Sequence, residues 1–365
     1  MKPKEQIGAY QMSFLLFTFM TGSSIVNIPG PLLAYASQGA WISLLLALAA
    51  GMAVLACVLA LHRKYPRQSL IEVSRAALGR WPTVLIAIPF LWFQFHMAGG
   101  IVLDIGLFMK STMLRQTPLA IFTLSIFIVV ALTVRSGLET MSRMFVVPMF
   151  FVIAFVFLIV LLLTGDYDLT SLQPIMPNGV KPVLLGAYFA YGFPYVELIL
   201  FSMLLPYVRS EEHHLLAKGM YAALLFNGFC LLCVTLCTML VLGPMAGELK
   251  YSMFVVAQTV DMMEVIQRIE SVMGFSLIAN SFMKASITVF VLKETFSKLF
   301  SFREGKLLVF PLTMACFLFS MLFISKGEAR WVNAVTVLHP LVATVCYLLP
   351  LLIVTIAASI RKKLA

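Results

Sequence analysis

Long apolar runs joined by short polar connections constrain this chain more than any other feature of its sequence. A helix needs about 20 consecutive apolar residues to cross the hydrocarbon core of a bilayer. Only 12% of the residues are charged, whereas soluble globular proteins have about 25%. The pattern predicts an all-α polytopic membrane protein with ten transmembrane helices. The predicted spans are residues 8–34, 39–61, 82–108, 117–134, 140–164, 183–205, 217–242, 266–295, 308–325 and 334–359.

The connections between these spans leave no room for a separate soluble unit. Residues 1–365 are therefore predicted to form a single transmembrane domain. The first span follows the N-terminus without a small-residue cleavage site, which favours a membrane helix over a cleaved signal peptide. A short amphipathic helix is predicted at 69–79, and short helices across the outer face are predicted at 243–263.

The Lys and Arg residues are concentrated in the connections on one side of the predicted bundle. Such residues are enriched in cytoplasmic loops of membrane proteins, so we expect both termini in the cytoplasm. The same bias accounts for the net charge of +10. It removes the reason to expect a nucleic-acid partner.

The sixth span is interrupted near its middle by the sequence FAYGFPYVE, residues 189–197. Proline removes a backbone N–H and breaks a helix, while glycine permits the backbone angles that a break requires. Open backbone is tolerated at membrane depth only where protein or a water-filled cavity covers it. We expect an unwound elbow at 191–194 that lines a small-molecule site. A plain proline kink, with Glu197 turned toward the headgroups, is the alternative.

The first span carries a comparable interruption at Thr21, Gly22, Ser23 and Ser24. Ten spans divide into a first repeat at 8–164 and a second at 183–360, which an outer loop at 165–182 separates. Because five is an odd number, the sixth span enters the membrane from the side opposite to the first, and the two repeats are inverted. Interrupted helices at corresponding positions indicate a transporter-type binding site. Free N–H and C=O groups at two such breaks suit a zwitterion such as an amino acid. Ser23 and Ser24 either add hydroxyl donors or bond the preceding turn.

The eighth span places one cation in a stripe of small and polar residues. Lys284 lies well inside the apolar run, and Asn280 lies beside the stripe. Three interpretations stay open for Lys284: a functional cation at a coupling-ion position or titrating group, a structural pair with a carboxylate such as Glu197, or a side chain that snorkels to the cytoplasm. The stripe consists of Gly274, Leu277, Ser281, Lys284 and Thr288.

The remaining polar residues at membrane depth are scattered. Gln94 and His96 lie near the middle of the third span, where His96 is interpreted as a structural residue, and Asp104 near its outer end is expected to reach water. Asn227 and His339 are interpreted as packing or kink features. No catalytic triad, metal-ligand set or phosphate-binding loop is recognisable. We expect neither an enzyme nor a cofactor or metal centre.

Four stretches taken together resemble the spore germination permeases, the B subunits of nutrient germinant receptors in the amino acid–polyamine–organocation superfamily. Their order and spacing extend over essentially the whole chain. The stretches are IVNIPGPLLAYASQGAWISLLLA, HRKYPRQSLIEVSRAALGRW, LQPIMPNGVKPVLLGAYFAYGFPYVELILFSMLLP and HPLVATVCYLLPLLIVTIAASIRKK.

The resemblance implies a LeuT-like 5+5 inverted repeat in the inner membrane of the spore. It also implies a receptor subunit that binds a small germinant, commonly an amino acid, beside A and C partner subunits. A glycine-rich break is common in helix 1 of the superfamily, whereas this chain has Gly22-Ser23-Ser24, which leaves the ligand class open. The implied pocket on helices 1, 3, 6 and 8 comprises Thr21, Gly22, Ser23, Gln94, Tyr191, Gly192, Phe193, Asn280 and Ser281.

Three functions are compatible with the sequence. The first is a germinant sensor that signals to its partners by shifting between conformers. The second is a proton- or sodium-coupled amino acid transporter, for which Lys284 in place of a sodium ion argues against sodium. The third is a structural subunit with a vestigial pocket, which the polar groups retained in spans 3, 6 and 8 disfavour.

Overall fold

The computed structural model describes residues 5–259, 270–302 and 305–364, and nearly all of them are helical. Within these ranges, nine helical segments are long and apolar enough to cross a membrane. One of them, Pro29–Lys64, joins the second half of the first predicted span to the whole of the second. Ala9–Thr21 supplies the other half of the first span. The chain is thus an integral membrane protein with the ten-helix arrangement that its hydropathy predicts.

The first five spans are built from nine α-helices, two of which are short pieces of interrupted crossings. They are α1 (Ala9–Thr21), α2 (Ser24–Asn27), α3 (Pro29–Ala36), α4 (Ala40–Lys64), α5 (Leu70–Leu78), α6 (Arg80–Thr112), α7 (Leu119–Ser136), α8 (Leu138–Met144) and α9 (Val146–Leu162).

The second half of the chain contains eight α-helices. In the last crossing, two π-helical turns separate its three α-helices. The eight helices are α10 (Val180–Gly192), α11 (His213–Leu242), α12 (Ser252–Gln258), α13 (Glu270–Phe300), α14 (Val309–Ile324), α15 (Glu328–Asn333), α16 (His339–Ala343) and α17 (Leu349–Leu364).

Both predicted breaks are present. Helix α1 ends at Thr21, and Gly22 and Ser23 form a turn before α2 begins. Helix α10 ends at Gly192, and the chain continues after Pro194 as a tight 3₁₀ helix, Tyr195–Met203. The proline explains the second break, because it has no N–H to continue the α-helical ladder.

Burial separates the central crossings from the peripheral ones. The most apolar windows of Val180–Met203 and Ser271–Phe300 are 78% and 83% buried, whereas that of Leu119–Ser136 is 28% buried. A crossing that is covered on all sides lies in the middle of a bundle, and one that exposes most of its apolar residues faces lipid. The broken sixth span and the polar eighth span are therefore held at the centre.

Helix α5 is the amphipathic helix predicted after the second span. Ser69 and Glu72 form a capping box at its start: Glu72 accepts hydrogen bonds from the backbone N–H and the hydroxyl of Ser69 at 2.8 and 2.6 Å. Lys298 near the end of α13 also donates to Glu72, at 2.8 Å. Arg75 donates to the carbonyls of Lys298 and Leu299. Three hydrogen bonds thus hold α5 against the C-terminal end of the central helix α13.

The contact between α5 and α13 is expected to weaken in acid. Burial alone raises the pKa of Glu72, but hydrogen bonds from Lys298 and Ser69 outweigh it and hold the pKa below its usual value. A carboxyl with a lowered pKa stabilises the folded state at neutral pH, and this stabilisation is lost as the pH falls through the lowered value. The protection factors of the α5 amides, which correct the exchange rate for its intrinsic dependence on pH, should therefore fall below about pH 4, and Glu72→Gln should remove this fall. Equal exchange in both proteins across that range would contradict the assignment.

Several predicted features lie partly or wholly outside the described residues. Of the surface segment 243–263, the structure shows a 3₁₀ turn at Gly243–Glu248 and helix α12, whereas 260–263 are outside it. The predicted start of the eighth span at 266–269 is outside it as well. So are four cations that contribute to the predicted orientation, namely Lys2, Lys4, Arg268 and Arg303.

Candidate functional site

A cavity of about 80 Å³ lies where the two breaks meet α6 and the last crossing. Its wall is mainly apolar and aromatic, with a small number of convergent polar groups, which is the usual composition of a small-molecule site. The lining residues are Ser23, Asn27, Pro31, His96, Met97, Gly100, Ile101, Asp104, Phe189, Phe193, Glu197, Lys250, Trp331, Val332, Val335, Thr336 and His339.

Glu197 and His339 line one end of the cavity and belong to a buried group of three ionisable side chains, whose third member is Lys284. Lys284 Nζ lies 2.6 Å from Glu197 Oε2, and both side chains are completely buried. His339 Nε2 lies 3.1 Å from the other carboxylate oxygen. Glu197 therefore points into the bundle, which contradicts the proline-kink alternative in which it turns toward the headgroups. The snorkelling interpretation of Lys284 is wrong for the same reason, and the pair with Glu197 is present.

The breaks make room for the lysine. Its ammonium lies over the rings of Phe193 and Phe19, with Nζ 4.2 and 5.1 Å from their centroids. The Lys284 stem passes Gly22 so closely that an added Cβ at Gly22 would lie 2.7 Å from Cδ. Gly22 and Phe193 belong to the two breaks, so the cation on α13 is seated where both broken helices meet.

A second carboxylate lies toward the other end of the cavity. Asp104 on α6 accepts a hydrogen bond from the indole N–H of Trp331 at 2.7 Å. The Trp331 ring packs over Gly100, where an added Cβ would lie 2.6 Å from the ring. The sequence led us to expect Asp104 to reach water at the membrane surface. In the structure it is half-buried and lines the cavity.

His96, interpreted from the sequence as a structural residue, is packed among aromatic rings at the cavity wall. It lines the cavity beside His339, with the ring centroids 6.2 Å apart. Trp331 contacts it from α15 at 5.4 Å, and Phe93 stacks on it from its own helix at 5.6 Å. Aromatic packing holds the ring in place while one face of it remains part of the cavity wall.

The structure brings some of the sequence-predicted site residues together and separates others. Ser23, Phe193 and Glu197 line the cavity. Thr21 instead accepts a hydrogen bond from Asn227 Nδ2 at 3.1 Å, and Ser24 donates to the Met20 carbonyl in the preceding turn at 2.8 Å. The cavity lining does not include Thr21, Gly22, Ser24, Gln94, Tyr191, Gly192, Asn280, Ser281 or Lys284.

The residues outside the cavity lining pack against other parts of the bundle. Gln94 donates to Thr295 on α13 at 3.3 Å. Asn280 and Ser281 are buried on α13, and Gly192 packs directly against Pro340.

Sequence reasoning missed most of the polar lining. His96, Gly100 and Asp104 are spaced four residues apart and therefore share one face of α6, a signal that identifies this face as polar. Trp331 and Thr336 gave no comparable signal, because they lie in the interrupted last crossing, whose path the sequence does not reveal.

The chain is similar in sequence to several spore germination proteins. The chain matches the family model described as "Spore germination protein" over residues 6–328. It is 22% identical over 321 residues to spore germination protein KB of Bacillus subtilis (strain 168), covering 87% of this chain and 85% of that protein. It is 24% identical over 282 residues to spore germination protein XB of Bacillus anthracis, covering 74% of this chain and 75% of that protein.

Solved transporter structures share the fold. A Na⁺-coupled sialic acid symporter in a substrate-bound, outward-open state matches with a TM-score of 0.68 and 12% identity, covering 93% of this chain and 78% of the symporter. MhsT in complex with L-phenylalanine also matches with a TM-score of 0.68, at 14% identity, covering 97% and 99% of the two chains. The similarity establishes the LeuT-like 5+5 inverted repeat with helices 1 and 6 broken.

Proposed function

Because the chain belongs to the Spore germination protein family, we propose that it is the membrane subunit of a nutrient germinant receptor. It binds a small germinant, an amino acid, in the cavity between the two breaks. It passes the resulting change of conformation to A and C partner subunits in the inner membrane of the spore, with both termini in the cytoplasm.

The observation that carries this proposal is the position of the Lys284–Glu197–His339 group. It lies at the junction of both broken helices, and two of its members, Glu197 and His339, line the cavity. A ligand that changes the spacing of the breaks changes the environment of a buried ion pair. Burying charges costs several kcal/mol unless they remain well paired. Such a ligand therefore binds the two conformers with different affinity, which a conformational signal requires.

The cavity volume indicates a closed conformer. The cavity volume of about 80 Å³ is well below the volume of about 300–1,000 Å³ that pockets for drug-sized ligands have. Only a small ligand fits without expansion. In the proposal the separated residues Gly22, Gly192 and Tyr191 at the breaks, with Asn280 and Ser281 behind them, adjust as the cavity opens around the ligand.

A coupled transporter is the second candidate. One observation favours it: the fold is shared with substrate-bound transporters over most of the chain. In that case Lys284 occupies a coupling-ion position between the breaks, and a proton is the coupling ion. Binding accompanied by gradient-driven uptake supports the transporter, whereas binding without uptake supports the receptor.

Purified protein in liposomes is expected to bind a radiolabelled small amino acid saturably, and not to accumulate it when a proton gradient is applied. L-Alanine is the first probe, because the cavity is small, and the other amino acids follow one at a time. Protein-free liposomes give the background. Accumulation that depends on the gradient would replace the receptor proposal with the transporter, and an absence of binding across the amino acids would reject both.

A further inference from the structure

One carboxylate in the cavity wall forms no direct ion pair within the described residues. Lys284 forms an ion pair with Glu197. Lys250, which lines the cavity, forms an ion pair with Glu328 at 3.1 Å. Asp104 is different: in the parts of the chain that the structure covers, it has no Lys, Arg or His nitrogen within 4.0 Å. Its described polar contact is the indole N–H of Trp331.

We infer that Asp104 is the group in the cavity that recognises the ammonium of the ligand. This inference rests on the proposed function in using the same cavity. Ionisable residues at membrane depth are costly and generally mark a ligand or ion path. The Trp331 N–H engages one carboxylate oxygen, Oδ1, and the other oxygen is left for a donor that enters the cavity.

The surroundings of Asp104 suit an ammonium better than an anion. Trp331 and Phe189 contribute aromatic side chains to the wall, and aromatic faces attract cations. An anion would be repelled by Asp104 and by Glu197. An alkylammonium supplies three N–H donors and a positive charge, which together replace the water that a buried carboxylate requires.

The two lysines near the cavity, Lys250 in its wall and Lys284 beside Glu197, do not remove this preference, because each already has a carboxylate partner. The imidazoles of His96 and His339 lie on the same wall, and His339 is bonded to Glu197 and not to Asp104. The nearest contrary explanation is that Asp104 serves only to orient Trp331. That explanation predicts no binding of an amine, so the two can be told apart.

Trp331 provides the readout. A protein with Trp41, Trp81 and Trp92 changed to Phe retains Trp331 as its single tryptophan, and its indole is bonded to the carboxylate in question. In detergent, ethylammonium chloride is expected to change the Trp331 emission saturably, whereas tetramethylammonium chloride, which has no N–H, and sodium chloride are expected not to. Asp104→Asn in this background should weaken the effect by about tenfold or more. Asp166→Asn, which removes an exposed carboxylate, should leave it unchanged.

Two results would overturn the inference: no saturable response to ethylammonium in the parent protein, or an equal response in Asp104→Asn. If Asp104→Asn does not fold, isothermal titration calorimetry of Trp331→Phe with ethylammonium replaces it. This variant keeps the Asp104 carboxylate, so it should bind ethylammonium within a few-fold of the parent. Loss of ethylammonium binding in Trp331→Phe would overturn the inference. The amine titration does not depend on amino acid binding in liposomes. A receptor that binds amino acids but not ethylammonium at Asp104 therefore refutes the inference alone.

Discussion

Lys284→Met is expected to destabilise the protein by about 3–5 kcal/mol, because it leaves the Glu197 carboxylate buried without its cation. The ion pair measures 2.6 Å, and neither side chain is exposed. His339 keeps one hydrogen bond to the carboxylate, but a hydrogen bond does not replace the missing charge. Glu197→Gln is expected to be similarly harmful, because it strands the ammonium between two aromatic rings.

The double variant Lys284→Met/Glu197→Gln should be more stable than either single variant. Removing both charges removes the desolvation cost as well as the attraction, and buried ion pairs are often replaced at little cost in this way. The coupling in the double-mutant cycle is therefore expected to be at least about 2 kcal/mol. Thermal unfolding in detergent, followed by tryptophan emission, measures all four proteins.

Arg143→Met is the matched control for the Lys284 experiment. Arg143 forms a 2.6 Å ion pair with Glu139, but the two side chains are 67% and 43% exposed. Exposed pairs contribute about 0–1 kcal/mol, so this variant should unfold close to the parent. Equal losses in Lys284→Met and Arg143→Met, or single variants whose losses add in the double variant, would show that the buried pair does not act as a unit.

The sequence predicts the breaks well, because a break is a local property. Gly22 and Pro194 act on the backbone of their own turns, so their effect is readable without knowledge of the fold. The inverted 5+5 arrangement follows from the number of spans and from the positions of the two breaks, whereas its LeuT-like form is implied by the resemblance to the spore germination permeases. Hydropathy is sufficient for that count, since every backbone group in a bilayer must be satisfied within a helix or by its neighbours.

The contacts at the site are far less predictable, because they join residues that are distant in the chain. Asp104 and Trp331 are 227 residues apart, and Glu197 and His339 are 142 apart. Spacing along one helix identifies a polar face, but it does not tell which face of another helix meets it. The pair between Lys284 and Glu197 was one of three open interpretations for this reason: burial at membrane depth requires a partner, without specifying which one.

Contacts between residues distant in the chain also explain why several predicted binding residues lie outside the cavity lining. Thr21 and Ser24 flank the break in helix 1, yet their hydroxyls are engaged by Asn227 and by the carbonyl of Met20. A break of two residues turns the chain sharply, so that residues next to each other in sequence face different neighbours. Ser23 alone of these hydroxyl residues reaches the cavity lining.

Gly192→Ala is expected to destabilise the folded protein by about 1–3 kcal/mol, the usual effect of overpacking a well-filled interior. Gly192 ends α10, and an added Cβ would overlap the Cα and Cβ of Pro340. Pro340 follows His339, so the displacement that relieves the overlap also moves the imidazole bonded to Glu197. Amino acid binding should therefore weaken more than global stability alone explains, and Gly192→Val should abolish it.

Two comparisons make this prediction specific. Gly165→Ala adds a Cβ with nothing within 4 Å, so it should bind and unfold as the parent does. Gly22→Ala meets Cδ of Lys284 at 2.7 Å and the carbonyl of Phe19 at 3.0 Å. The lysine stem is flexible, so the loss of stability should be smaller than for Gly192→Ala. Binding should still suffer, because the stem positions the ion pair. If Gly192→Ala binds an amino acid as tightly as Gly165→Ala does, the second break is not part of the binding mechanism, whereas a selective loss would connect the packing of that break to ligand recognition through Pro340 and His339.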